Sequence, residues 1–77
     1  MIQCRLRELM ASAGRSERSR ITYQEIKSRT GVSPATLVRL ANDRADRVGI
    51  SVIDRLCAYF QCQPGDLFVY IEEPNNL

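Results

Sequence analysis

The sequence contains no histidine, and its three cysteines, Cys4, Cys57 and Cys62, lack the paired spacings of a disulfide framework or a zinc site. A metal centre would have to be built from thiolates and carboxylates alone, and no second cysteine pair exists to complete it. The cysteines therefore read as reduced structural thiols, with Cys57 on an apolar stripe and Cys62 near the end of that stripe. Their Cys-x4-Cys separation is not that of a Cys-x-x-Cys redox pair. Catalysis needs titratable groups gathered in a pocket, so this chain is not expected to be an enzyme, and no cofactor or small-molecule ligand is implied.

Long apolar runs are missing too. The longest candidates lie around Ile50 to Ile53 and Phe68 to Ile71, far short of the roughly 18 residues that cross a bilayer. Arg5, Arg7 and Glu8 stand where a signal peptide would be apolar, so a cytoplasmic protein without membrane contact is expected. The chain has 77 residues, enough for one domain over 1–77. A chain this short buries roughly 60% of the surface it exposes when unfolded, and a partner subunit is the expected reinforcement.

Charge of one sign is scarce in the whole but not in the parts. The net charge is +2, yet residues 1–50 hold ten of the eleven basic residues against five acids, and residues 51–77 hold one against four. A basic front with an acidic back suits a protein that lays one face on a polyanion.

Ile2, Leu6, Leu9, Met10 and Ala13 recur at helical spacing and predict a first helix from about Arg5 to Ala13, ended by Gly14; residues 1–4 could be extended instead. Arg15 to Arg20 alternates serine and charge and reads as a solvated loop. Thr22 followed by Glu25 is a capping box, which opens a second helix that runs to about Thr30, where Gly31 supplies a left-handed stop. Ser33 caps again, Pro34 takes the first helical position, and Leu37 and Leu40 mark the buried side of a third helix ending near Asn42. A fourth helix opens at Ser51, paired weakly with Asp54, and carries Val52, Ile53, Leu56, Cys57 and Phe60 before it stops short of Pro64. Beyond a turn at Pro64-Gly65, Phe68-Val69-Tyr70-Ile71 predicts a strand over about 68–73. Its only extended partner is Met1 to Cys4, in the same chain or in a neighbouring subunit.

Two short helices joined by a glycine turn, the second capped by serine and begun by proline, make a helix-turn-helix over about 22–42. Thr22-Tyr23-Gln24-Glu25-Ile26, followed by Gly31-Val32-Ser33-Pro34-Ala35-Thr36-Leu37, resembles the phage-repressor and Xre-like (Cro-type) transcriptional regulators. Gln63-Pro64-Gly65-Asp66-Leu67 is similar to that family's usual ending. The resemblance implies a mainly α, lambda-repressor-like bundle of four to five short helices, with room for a small two-stranded sheet from the terminal segments. It also implies sequence-specific binding of double-stranded DNA with the third helix in the major groove; a homodimer is expected because one short helix reads too few bases for useful specificity.

Carried over by position, the resemblance puts Pro34, Ala35, Thr36, Val38 and Arg39 at the bases, and Thr22, Tyr23, Ser33, Asn42 and Arg44 at phosphates. Arg39 is the strongest reader, because a guanidinium can bond guanine O6 and N7 together. Tyr23 is expected to be more exposed than buried, with its phenol in reach of phosphate. Arg15, Arg18 and Arg20 are added as phosphate contacts on their position alone, just before the second helix. The chain departs from the family at Lys27, where a small residue is usual and the lysine stem must snorkel outward. It departs again at Ala41 and Asp43, so that Asn42 or Asp43 must take any left-handed conformation. The alternative reading is an antitoxin-like or protein-interaction module that keeps the fold and binds through its acidic C-terminal part. RNA is disfavoured by the want of a stacking aromatic pair on a sheet face.

Overall fold

A computed structural model describes residues 1–17 and 21–72. Its order is β1 (Ile2–Cys4), α1 (Leu6–Glu17), α2 (Tyr23–Thr30), α3 (Pro34–Ala41), α4 (Ile50–Phe60), α5 (Pro64–Leu67) and β2 (Phe68–Tyr70). The chain is thus mainly helical, with five helices and one two-stranded sheet among the described residues.

Leu6, Ile26, Leu37, Leu40, Leu56 and Leu67, drawn from all five helices, are the largest fully buried side chains. Each contributes about 1.5–3 kcal/mol of apolar burial. Cys4, Ile21, Val32 and Ala41 complete the core, and Leu9, Met10, Ala13, Val52, Ile53 and Phe60 pack around it half-buried.

The terminal strands pair with each other, antiparallel, in the register Ile2 to Tyr70, Gln3 to Val69 and Cys4 to Phe68. Ile71 N donates to Met1 O at 2.7 Å and the Met1 amino group to Ile71 O at 2.6 Å, which carries the ladder one pair further. Of the two partners open to β2, the structure takes the one in its own chain.

Four local expectations need correction. Ile2 belongs to β1 and not to the stripe of the first helix. Gly14 does not end α1, which continues to Glu17, so the stretch expected as loop begins as helix. An interior glycine costs only about 1 kcal/mol relative to alanine, too little by itself to end a helix that Leu6, Leu9, Met10 and Ala13 already hold against the core. Helix α4 starts at Ile50, with Gly49 rather than Ser51 as N-cap and no side-chain capping bond. Gly49 O already accepts from Val52 N at 3.0 Å and Ile53 N at 3.2 Å, so Ser51 is inside the first turn and cannot cap it. The strand expected over 68–73 runs only from Phe68 to Tyr70.

At the other end of α4, Gln61 takes the left-handed conformation, φ 53°, and Cys62 N donates to Cys57 O at 3.0 Å. The expected turn at Pro64-Gly65 is the single helical turn α5, closed when Asp66 Oδ2 accepts from Gln63 N at 2.9 Å. Arg5 N donates to Leu67 O at 2.7 Å, which fastens the entry of α1 to the end of α5.

Candidate nucleic-acid interface

The junction of α2 and α3 is built as the sequence leads one to expect. Thr22 is the N-cap of α2, its Oγ1 accepting from Glu25 N at 3.1 Å. No bond returns from Glu25 to Thr22 among the described residues, so half of the expected capping box is formed. Gly31 lies at φ 80°, ψ 0°, and its N–H donates to Lys27 O at 2.8 Å. Thr30, which the sequence reading passed over, tightens the turn further: its hydroxyl donates to Ile26 O at 2.6 Å and accepts from Val32 N at 3.1 Å. A buried carbonyl neighbour and the loop N–H are thereby both satisfied. Lys27 is exposed, as the snorkelling argument requires.

Ser33 is the N-cap of α3, accepting from Thr36 N at 3.2 Å, with Pro34 at the start of the helix. Leu37, Leu40 and Ala41 point into the core. Positions one helical step away must therefore point out, and Ala35, Val38, Arg39 and Asn42 are all exposed. Their spacing, i, i+3, i+4 and i+7, makes one continuous outward stripe. Val38 keeps 39% of its surface accessible, unusual for a valine beside a core.

The other candidates fall less uniformly. Pro34 and Thr36 are half-buried at the edge of the stripe, and the Thr36 hydroxyl already shares a 3.0 Å hydrogen bond with Ser33 Oγ. Thr22, Ser33 and Arg44 are exposed. Tyr23 is half-buried and packs against the core, so less of it is free than its position on α2 suggested. The backbone at Arg15 is part of α1, but its side chain, like Arg18 and Arg20, lies outside the described residues.

Beyond Asn42 the chain turns through Asp43, the residue of the two that takes the left-handed conformation, at φ 56°. Its Oδ1 accepts from Cys4 N at 2.8 Å. Arg44 N donates to Arg39 O at 2.8 Å, which wraps the loop back over the last turn of α3. Arg7, at the start of α1, donates from Nη2 to Asn42 Oδ1. Nothing in the spacing of the sequence joins two residues 35 apart on different elements.

A capped helix with an outward polar and apolar stripe, held at its start by a glycine turn on a second short helix, is the arrangement of a helix-turn-helix. A family model for the Cro/C1-type helix-turn-helix DNA-binding domain matches residues 5–73. The chain belongs to that family. It is also 31% identical over 51 residues to an uncharacterized HTH-type transcriptional regulator of Bacillus subtilis (strain 168), YozG; the match covers 66% of this chain and 61% of that protein. Two of the departures from the family pattern are accommodated in the structure: Lys27 is exposed, and Asp43 supplies the left-handed turn in place of glycine. A third, an Arg15 to Arg20 loop several residues longer than usual, lies largely outside the described residues. Among the described residues no helix is long and apolar enough to cross a membrane.

Proposed function

We propose that this chain is a cytoplasmic transcriptional regulator that binds double-stranded DNA sequence-specifically as a homodimer, through residues 1–77 acting as one domain and without catalysis. The single observation that carries the reading is the outward stripe of α3, with Ala35, Val38 and Arg39 exposed while Leu37, Leu40 and Ala41 anchor the same helix in the core. With α3 in the major groove, Arg39 offers two hydrogen bonds to a guanine edge, and Ala35 and Val38 offer apolar contact to thymine methyls. The hydroxyls at Thr22 and Ser33, and the N–H groups at the open start of α3, meet the flanking phosphates. The excess of basic residues in the first fifty positions agrees in sign.

One short helix reads too few bases for useful specificity, which supports a dimer with its recognition helices roughly 34 Å apart, one turn of the duplex. The surface has a largely apolar region to spare for such a contact. Ile2, Leu40, Ala45, Val48, Ile53 and Phe68, together with the charged pair Asp46 and Arg47, line an open groove of about 280 Å³. At the start of α4 and on the sheet, Ile50 and Tyr70 keep 82% and 72% of their surface accessible. The test is selection of bound duplexes from a random pool, followed by titration of the recovered sequence. The expected result is an inverted repeat bound by two chains, far more tightly than unrelated DNA. A flat sequence profile removes the specific-binding reading, and one chain per site in sedimentation removes the dimer.

A further inference from the structure

We propose that Arg7 joins Asn42, already expected at phosphate, to form a phosphate clamp at the C-terminal end of α3, its cation supplied from outside the helix-turn-helix. The inference rests on the DNA-binding reading and adds to it a residue of α1.

A helix lying in a groove meets phosphate at both ends. Eight residues of α3 extend about 12 Å, comparable with the width of the major groove, so neither end is far from a backbone strand. The two ends are not equivalent. At the start, unpaired N–H groups and the positive end of the dipole favour an anion, whereas the carbonyls at the finish disfavour one. Arg39, the cation in the last turn of α3 itself, is committed to a base edge in the DNA-binding reading, so a phosphate beside Asn42 is served by a cation from the neighbouring loop or from another element. The first turn of α1 brings Arg7 there.

The bond between the two side chains decides what they present. A carboxamide has one accepting oxygen and one donating nitrogen, and Arg7 Nη2 occupies the oxygen of Asn42. The reverse orientation would set the amide nitrogen against the guanidinium, donor against donor. The pair thus presents the Asn42 NH₂ beside the remaining guanidinium N–H groups, an all-donor pair, while the neighbouring Asp43 carboxylate is engaged with Cys4 N and Glu8 lies next to Arg7 in the chain. Such donors suit phosphate oxygens, which only accept. Both residues are exposed, so the surface is open to a ligand.

The site is also held in place. Asn42 N donates to Val38 O at 3.0 Å, and the next residue, Asp43, accepts from Cys4 N at 2.8 Å immediately before α1. The end of α3 and the segment leading into α1 are bound to each other twice, once through the Asp43 carboxylate on Cys4 N and once through Arg7 on Asn42. Little conformational freedom is left to lose when an anion docks.

The experiment measures affinity for a labelled duplex of arbitrary sequence as a function of salt, for the wild type, Arg7→Gln, Arg7→Lys and Asn42→Asp. Neutralising one phosphate contact should lower the slope of log affinity against log salt by about 0.9 in Arg7→Gln, so that the loss on going from about 50 to 200 mM salt shrinks ~3.5-fold. Arg7→Lys restores the charge and should restore the slope. Asn42→Asp keeps a partner for Arg7 but aims a carboxylate at the phosphate, so it should bind weakly while melting no lower than wild type. A wild type that binds duplex with a slope unchanged in Arg7→Gln, or Asn42→Asp binding as well as wild type, overturns the clamp. A wild type that binds no duplex at low salt overturns the DNA reading on which the clamp stands.

Discussion

Gly31 offers a test of the junction on which α3 depends. Its φ of 80° lies in the left-handed region, where a Cβ approaches the following carbonyl and costs about 1–2 kcal/mol in any residue but glycine. Space is not the obstacle. A Cβ at this position would come to 3.4 Å of Arg55 Nη1, the far end of a flexible side chain that can move aside. The cost of Gly31→Ala is therefore a backbone cost of about 1–2 kcal/mol, more than the fraction of a kcal/mol that alanine recovers by stiffening the unfolded chain. With about 0.5 kcal/mol recovered, about 0.5–1.5 kcal/mol is lost net, and at about 4–8 °C per kcal/mol for a domain of this size Gly31→Ala should melt about 2–12 °C lower. Gly31→Val should melt lower still, because β-branching stiffens the side chain against the turn. Gly31→Asn, whose short polar side chain tolerates the left-handed region, should lose least. Thermal unfolding by circular dichroism measures all three. The reasoning fails if alanine leaves the Tm unchanged, if asparagine is as damaging as valine, or if Gly31→Ala is rescued by Arg55→Ala, which would make the cost steric.

Arg39→Ala should cost about 1–3 kcal/mol of specific affinity and relax preference at one base pair, read by competition among single-base variants of the selected site; equal weakening on every sequence would assign Arg39 to phosphate. Changing Arg15, Arg18 and Arg20 together to glutamine should flatten the salt slope by about 2 if two of them reach phosphate, weakening specific and random duplex alike. An unchanged slope would make them ordinary solvated charges. Burial pushes the Cys4 thiol above its ordinary pKa, against an opposing hydrogen bond from the Leu6 backbone and with the nearby Asp43 and Glu8 carboxylates adding to the rise. The protonated thiol is thus the form that favours folding. That contribution is present below the ordinary thiol value and is lost as pH rises through the raised one. Alkylation of Cys4 in the folded chain should accordingly have its midpoint at higher pH than in urea, and a midpoint at or below the unfolded one would contradict the burial argument.

What the sequence determined by itself is the helix-turn-helix, because every signal there acts within a few residues. The bond from Glu25 N to Thr22, the bond from Thr36 N to Ser33, Pro34 at the helix start and the left-handed Gly31 are local events whose energies do not depend on distant chain. The alternation of Leu37 and Leu40 with Ala35, Val38 and Arg39 likewise assigns inside and outside from period alone. Tertiary structure decided the rest. Gly14 reads as a stop, yet α1 passes through it, since a cost of about 1 kcal/mol is too small to end a helix that the packed core already holds from Leu6 to Ala13. Ser51 reads as a cap, but Gly49 fills that place once the loop from Asp43 delivers the chain to α4. The terminal strands had two possible partners, and proximity created by the folded core selected the one in the same chain. Arg7 could not be joined to Asn42 from spacing at all, because the contact exists only after β1, α1 and the end of α3 have been brought to one corner.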